Sequence, residues 1–165
     1  MTDVGVDVPA SASDSQDAGD GATITPVAAS HLIVVHEAPK DAVAFKSGDG
    51  AMFLAPPKAN FNEVFAAGRV NGSSLFGANA AIGHFRTFDF QRDGDNFYTA
   101  YTDASNYAVG VYMAGAGFTL QDTILLGKLF ARAYSSNAGA QSQEDWRKRG
   151  WNDASAGFGP FSSSP

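Results

Sequence analysis

The chain has 165 residues, 44% of them hydrophobic, no cysteine and a formal net charge of −6. This length predicts one domain with a buried core, and the absence of cysteine excludes disulfides, thiol nucleophiles and thiolate metal sites. Five of the 17 acidic residues lie within residues 1–30, which hold no Lys or Arg, so residues 31–165 carry 12 acidic and 11 basic side chains. This part is therefore nearly neutral, and its longest basic run, Arg147–Arg149, is too short for an extended nucleic-acid footprint.

The two ends of the chain differ in composition from its middle. Residues 1–30 are rich in Asp, Ser, Ala and Gly, and they predict a disordered acidic leader without the basic and apolar regions of a signal peptide. Residues 31–153 predict a single globular domain, and residues 154–165 predict a Gly/Ser/Pro tail. No apolar stretch reaches the roughly 18–20 residues of a membrane span, so none is expected.

Strands are predicted mainly in the first half of the domain. The β-branched run His31–Glu37 predicts a buried strand, and residues 42–46 and 51–54 predict a hairpin across a Ser-Gly-Asp-Gly turn. Residues His84–Gln91 alternate in polarity and predict another strand. An acidic turn then leads to a predicted return strand at Phe97–Thr102.

Two helices are predicted around this strand pair. Asn60 and Glu63 have the spacing of a capping box, which predicts a short helix that ends at Gly68. A buried, glycine-containing helix is predicted over Tyr107–Ala116, with Ser105 or Asn106 as its N-cap.

The clearest helix is predicted at Leu120–Tyr134, after a capping box at Thr119 and Asp122. Its predicted inward residues are Ile124, Leu125, Leu129, Phe130 and Ala133. Ser142 and Asp145 predict a last helix that ends near Asp153. The predicted fold is therefore α+β, a single domain with N-terminal strands and a hairpin before a mainly helical second half, in an order similar to that of lysozyme-like enzymes.

Acid–base chemistry needs a group that donates a proton and often a second that activates water or stabilises charge, and four residues are candidates. Asp89 lies between two phenylalanines, where it either pairs with Arg86 or Arg92 or lines a cleft. The other candidates are Asp103 at a predicted loop-to-helix junction, Glu63 in its capping box and His84 as a general base. Each also has a structural interpretation, namely helix capping for Asp103 and Glu63 and ordinary packing for His84.

Aromatic and amide side chains follow the predicted strand pair and suit sugar rings or stacked bases. The candidate substrate-binding residues are Arg92, Tyr98, Tyr101, Asn106 and Tyr107. The alternative is an ordinary β-surface with cross-strand aromatic pairs. His31 and His36 are five residues apart and face opposite ways on a strand, so no metal site is predicted, and no cofactor is expected.

The segments Phe88–Arg92 (FDFQR) and Ser105–Gly110 (SNYAVG), with the acidic turn between them, resemble bacterial polymorphic toxin domains of the type 44 kind. The resemblance covers residues 84–153. It departs from the family pattern at Ser105, where glycine is usual, at Gln91, which intervenes before Arg92, and at Val109, which replaces the second aromatic.

That resemblance implies an antibacterial effector of a type VI-like secretion system, exported without a signal peptide, active in the periplasm of a target cell and neutralised by a cognate immunity protein. Within it we expect a peptidoglycan glycoside hydrolase that uses carboxylate acid–base chemistry. Two alternatives stay open. One is a metal-independent nuclease toxin using His84 with Arg86 or Arg92, and the other is a non-enzymatic adaptor with the aromatic strand as its interface.

Overall fold

The computed structural model describes residues 32–83, 86–134 and 141–157. It confirms the predicted α+β class, because these residues form five α-helices and two small sheets. The helices are α1 (Phe61–Asn71), α2 (Leu75–Ile82), α3 (Thr102–Gly115), α4 (Leu120–Tyr134) and α5 (Gln141–Ala156). None of the helices in the described ranges is both long and apolar enough to cross a membrane.

The five strands are short and lie before α3. They are β1 (Ile33–Val35), β2 (Val43–Lys46), β3 (Met52–Ala55), β4 (Arg92–Asp93) and β5 (Asn96–Tyr98). Strands β2 and β3 form the predicted antiparallel hairpin, with Phe45 opposite Phe53. The other sheet has the order β1-β5-β4, in which β1 runs parallel to β5 and β4 antiparallel to it.

The predicted strand at His84–Gln91 is wrong for the part of it that the structure describes. Residues 86–91 form consecutive turns, in which the Asp89 amide donates to the Arg86 carbonyl and the Phe88 amide to the Ala81 carbonyl. Burial does not alternate along this segment, because Arg86 and Thr87 both face solvent while Asp89 and Phe90 are both buried. The polarity pattern of the sequence therefore does not correspond to the two faces of a strand.

Helix α1 continues past Gly68, so the predicted stop there is wrong. The helix ends at Gly72, whose φ of 58° is the left-handed conformation that glycine adopts readily. Gly68 is buried instead, and a Cβ atom at this position would lie only 2.2 Å from the carbonyl oxygen of Tyr112 in α3. Gly68 therefore allows α1 and α3 to cross in backbone contact.

Helix α3 begins at Thr102, five residues before the predicted start, and a single 3₁₀ turn at Thr99–Tyr101 precedes it. Ser105 and Asn106 are therefore inside the helix and neither is its N-cap. Helix α2 was not predicted from the sequence at all, although the Ser74 hydroxyl caps it by accepting from the Gly77 amide.

The core is an aromatic cluster between the β2–β3 hairpin and helices α1, α3 and α5. Phe53 is at its centre, with its ring 4.9 Å from that of Tyr107 and 5.2 Å from that of Trp146, measured between centroids. Phe61 of α1 packs edge-on against Phe53 and against Phe90 of the turn segment. Such offset and edge-on pairs are favourable for aromatic rings and fix the hairpin against the helices.

Helix α4 has the predicted bounds and the predicted capping box, but its inward face differs. The Asp122 amide donates to the Thr119 hydroxyl, which confirms the box. Leu125 and Leu129 are 57% and 52% exposed, so their predicted inward placement is wrong. Thr123 is the buried residue of the first turns, and its hydroxyl donates to the Thr119 carbonyl.

Helix α5 runs to Ala156, so residues 154–156 belong to this helix and not to the predicted tail. Gly150 of α5 lies against α3, because a Cβ atom there would be 2.1 Å from the carbonyl oxygen of Tyr107. The close α3–α5 contact puts the side chains of α5 beside the first turns of α3 and beside the turn of the β2–β3 hairpin.

Candidate functional site

Asp89 forms a buried ion pair and not an open catalytic group. Its Oδ2 lies 2.7 Å from the Arg92 Nη1, and the guanidinium of Arg92 also lies over the ring of Phe97, 5.0 Å from its centroid. The side chains of Asp89 and Arg92 are 4% and 10% exposed. The structure therefore agrees with the interpretation of Asp89 as a structural partner of Arg92 and removes both side chains from the accessible surface.

Glu63 completes the predicted capping box at the start of α1. The Asn60 side-chain oxygen accepts from the amides of Asn62 and Glu63, and the Asn60 amide group donates to the Glu63 carboxylate over 2.9 Å. Glu63 is exposed to solvent. This is a capping arrangement, and nothing around Glu63 resembles the apolar pocket that a protonated acid requires. His84 lies outside the described residues.

The predicted substrate-binding aromatics are mostly internal. Tyr107 is 0% exposed, and its hydroxyl donates to the Asp153 carboxylate over 2.8 Å. Tyr101 is also buried, and burial raises its pKa. Tyr98 is partly buried and packs its ring 5.5 Å from the ring of Tyr101. Tyr101 and Tyr107 therefore belong to the core, and the expected sugar platform does not form at these positions.

Asn106 holds a buried arginine. Its amide group donates to the Thr102 carbonyl, and its side-chain oxygen accepts from the Arg147 Nε over 3.0 Å. A second amide, Gln143, accepts from Arg147 Nη2 over 3.3 Å. Burial lowers the pKa of Arg147. Asn106 therefore stabilises the α3–α5 contact, and these hydrogen bonds give no structural support to a role in substrate binding.

Asp103 is the predicted catalytic residue whose surroundings fit that role. It lies in the first turn of α3 and is partly buried. Burial raises the pKa of its carboxyl group, and the positive charge of Arg149 opposes part of that rise. A raised pKa extends the pH range over which a carboxyl group keeps the proton that a general acid donates.

Asp49, which sequence reasoning treated only as a turn residue, lies beside the same arginine. The Arg149 Nε donates to its Oδ2 over 2.7 Å, and the Ser47 hydroxyl donates to its Oδ1. The Ser47 hydroxyl and then Arg149 lower the pKa of Asp49 from 3.8 to about 2. Its side chain is 53% exposed, so this carboxylate stays ionised and accessible.

Arg149 joins these two carboxylates to the core. Its guanidinium lies 4.6 Å from the ring centroid of Trp146, one helical turn earlier on α5. Trp146 itself packs on Phe53, so its ring is a support for Arg149 and is mostly buried. We call Asp49, Asp103, Trp146 and Arg149 the Arg149 cluster.

The Arg149 cluster contains two carboxyl groups with pKa values shifted in opposite directions. Burial favours the neutral form of Asp103, whereas hydrogen bonds and a positive charge favour the ionised form of Asp49. This separation allows one carboxyl group to donate a proton while the other stabilises positive charge. No sequence pattern predicts this grouping, because Asp49, Asp103 and Arg149 are far apart along the chain.

A second surface feature is an open cleft of about 480 Å³ between α1, α2 and the turns at residues 86–91. Its lining is mostly small and apolar, and consists of Ala67, Asn71, Gly77, Ala80, Ala81, Thr87 and Phe88. None of the predicted catalytic or substrate-binding residues that the structure describes lines it. Within the described ranges, no group of three or more His, Asp or Glu side chains is arranged to hold a metal ion.

Comparison of the chain with protein families, with curated proteins and with solved structures finds no match. The resemblance to type 44 toxin domains and the lysozyme-like part of the fold expectation therefore stay predictions. The structural evidence for function comes from the geometry of the site alone.

Proposed function

We propose that this protein is a hydrolase of the glycosidase type, in which Asp103 is the general acid and Asp49 the ionised partner. The observation that carries the proposal is that Arg149 pairs with the exposed Asp49, whose pKa is lowered, while its positive charge also acts on the partly buried Asp103, whose pKa burial raises. Glycoside hydrolysis needs this division, because one carboxyl group protonates the leaving oxygen while the other acts on the developing oxocarbenium ion. Asp103 is retained from the sequence prediction, and Asp49 takes the place expected for Asp89.

The depressed pKa of Asp49 defines its role more closely. A carboxylate with a pKa of about 2 is a weak base, so it suits stabilisation of positive charge better than removal of a proton from water. Its exposed side chain can reach a bound glycan, and it accepts from both Arg149 and the Ser47 hydroxyl.

The proposed target is peptidoglycan, in the periplasm of a cell that receives the protein as an antibacterial effector. This part rests on the sequence resemblance at Phe88–Arg92 and Ser105–Gly110. In the structure, residues of both segments are internal. Phe90 and Asp89 are buried beside Arg92, and Tyr107 is in the core. The side chains of these two segments therefore stabilise the fold, and the proposed catalytic residues are those of the Arg149 cluster.

The test is expression of the full chain in a bacterium, with and without an added periplasmic signal sequence. Lysis only with the signal is expected, together with release of soluble fragments from purified sacculi. Asp103→Asn and Asp49→Asn are expected to remove both effects at equal protein level. Asp122→Asn is the matched control, since Asp122 is an exposed aspartate in the Thr119 cap. Full lysis by both cluster variants contradicts the proposal.

The nuclease alternative relies on His84, which lies outside the described residues, together with Arg86 or Arg92. Arg92 is held in the buried pair with Asp89, so phosphate binding by Arg92 requires loss of that contact. Arg86 is exposed. Killing by the cytoplasmic form alone is the result that favours a nuclease.

A non-enzymatic interaction protein is the second candidate, because α4 exposes Leu125 and Leu129 one helical turn apart. An apolar stripe of this kind suits a partner surface. This candidate predicts no lysis in either compartment. It also predicts a stable complex that Leu125→Gln with Leu129→Gln abolishes and Asp103→Asn leaves intact.

A further inference from the structure

Asp153 of α5 is a buried carboxylate that joins the hairpin turn to the interior. Its Oδ2 accepts from the Gly48 amide over 2.9 Å and from the Tyr107 hydroxyl over 2.8 Å. These donors come from a turn and a helix far apart in sequence, and Asp153 is 7% exposed. Two donors on a single buried oxygen offset part of the cost of removing the carboxylate from water.

Gly48 lies so close to Asp153 that it leaves no space for a side chain. A Cβ atom at Gly48 would lie 2.5 Å from the Asp153 Oδ1 and 3.3 Å from its Cγ. Gly48 is not among the glycines with positive φ, which include Gly50 in the same turn. The requirement for glycine at position 48 is therefore steric and arises from the docked carboxylate, whereas at Gly50 it arises from the backbone conformation.

The turn meets one face of α5 at two successive residues. Gly48 bonds to Asp153, and Asp49 bonds to Arg149, four residues earlier and on the same side of the helix. The Asp49–Arg149 pair is largely exposed, and exposed pairs are weakened by solvent and salt. A single exposed pair fixes neither partner well, so the buried Gly48–Asp153 bond is the contact that can define the position of the turn.

We infer that Asp153 is a positioning residue that docks the hairpin turn through the Gly48 amide and thereby places Asp49 against Arg149 in the proposed active site. Asp153 acts through Gly48 and does not itself contact substrate. The Tyr107 hydroxyl also orients the Asp153 carboxylate by donating to it. The pKa of Tyr107 is raised by burial and by Asp153, so its hydroxyl keeps its proton and remains a donor. The inference rests on the proposed function for its catalytic consequence, whereas the docking itself is a property of the fold.

The experiment compares Gly48→Ala, Asp153→Ala and Asp153→Asn in the full-length protein, with folding checked by circular dichroism. The first readout is the pKa of Asp49, measured from the pH dependence of the NMR chemical shift of its carboxyl carbon. The second is the kcat and KM for fragment release from purified sacculi. The asparagine variant is the conservative control, because a carbonyl oxygen in place of Oδ2 still accepts from Gly48 and Tyr107.

Gly48→Ala and Asp153→Ala are expected to raise the pKa of Asp49 above about 2, because the turn moves away from Arg149, while the Ser47 hydroxyl in the same turn still keeps that pKa below 3.8. They are also expected to lower kcat by about 10-fold to 100-fold, since small misplacements of a reacting group have effects of this size. Asp153→Asn is expected to retain the low pKa of Asp49 and most of kcat.

Three results decide between the docking and the proposed function. An unchanged pKa of Asp49 in both alanine variants overturns the inference. A raised pKa with unchanged kcat confirms the docking and overturns its role in positioning a reacting group. A raised pKa in variants of a wild-type protein that releases no fragments confirms the docking and contradicts the proposed hydrolase.

Discussion

Gly110 of α3 faces the backbone of Arg147 in α5, and a Cβ atom on Gly110 would lie 2.1 Å from the Arg147 carbonyl oxygen. Gly150 makes the reciprocal approach to Tyr107 of α3. The backbones of the two helices are therefore in contact at two points, because each helix has a glycine where it meets the other. This close contact is what places Arg149 and Asp153 of α5 beside Asp103 and the hairpin turn.

Gly110→Ala is expected to destabilise the fold, because its methyl group collides with rigid backbone and not with a movable side chain. Overpacking of this kind costs about 1–3 kcal/mol, and occasionally more. Urea unfolding measures the change in the free energy of unfolding. Ser155→Ala, at an exposed position of α5, is the control and is expected to stay within about 0.5 kcal/mol of wild type. Equal stability of both variants would show that α3 and α5 separate without cost.

Arg147 is expected to stabilise the contact between α3 and α5 through its amide partners. Arg147→Ala leaves the side-chain oxygens of Asn106 and Gln143 without their donor, and each such loss costs about 1–3 kcal/mol when the group is buried. Thermal and urea unfolding report the change. Lys148→Ala is the comparison within the same basic run, since its pair with Glu144 lies at the surface and its removal is expected to have a small effect.

Variants at the N-terminal cap of α1 distinguish a structural role of Glu63 from a catalytic one. Asn60→Ala removes the acceptor of two amides and is expected to cost about 1 kcal/mol of stability. Glu63→Gln keeps the Asn60 cap and is expected to retain full hydrolytic activity together with near wild-type stability. A loss of activity without a loss of stability in the Glu63 variant would return this residue to the candidate acids.

Asp49 predicts an acid-dependent loss of stability. Its folded-state pKa of about 2 is below the ordinary 3.8, so its contribution is fully present above about pH 4 and is lost as the pH falls towards 2. In Asp49→Asn this part of the pH dependence is expected to vanish. Urea unfolding between pH 5 and pH 2 measures it, and curves of identical slope for the two proteins would contradict the contact with Arg149.

The pH dependence of stability expected from Asp103 has the opposite sign to that expected from Asp49. Because burial raises the pKa of Asp103, the folded protein binds this proton more tightly than the unfolded chain does. Stability therefore falls as the pH rises from the unfolded-state pKa of 3.8 through the higher folded-state pKa. Asp103→Asn is therefore expected to be more stable than wild type at neutral pH, with a difference that disappears below pH 3.8. A stability gain together with loss of lysis is the pattern of a strained active-site group. A destabilised Asp103→Asn at neutral pH would contradict the burial.

Local signals predicted the parts of the fold that depend on neighbouring residues. The capping boxes at Asn60 and Thr119 and the hairpin at residues 43–55 were predicted correctly, because each depends on residues within about ten positions. The strand at His84–Gln91 was predicted wrongly for the residues that the structure describes, since residues 86–91 form turns in which the adjacent Asp89 and Phe90 are both buried. The inward face of α4 failed for a related reason, because its leucines have no neighbouring element to cover them in the described structure.

Local sequence patterns were sufficient to predict the α+β class, the capped starts of α1 and α4, and Asp103 as a candidate acid. The folded structure was needed to show that Asp49 pairs with Arg149, that Arg92 is the partner of Asp89, and that Tyr107 is in the core. The reason is that pKa and exposure depend on which residues meet through space. The approach of α5 to α3 depends on glycines at the helix crossing, whose sequence signal is the same as that of any flexible or turn glycine.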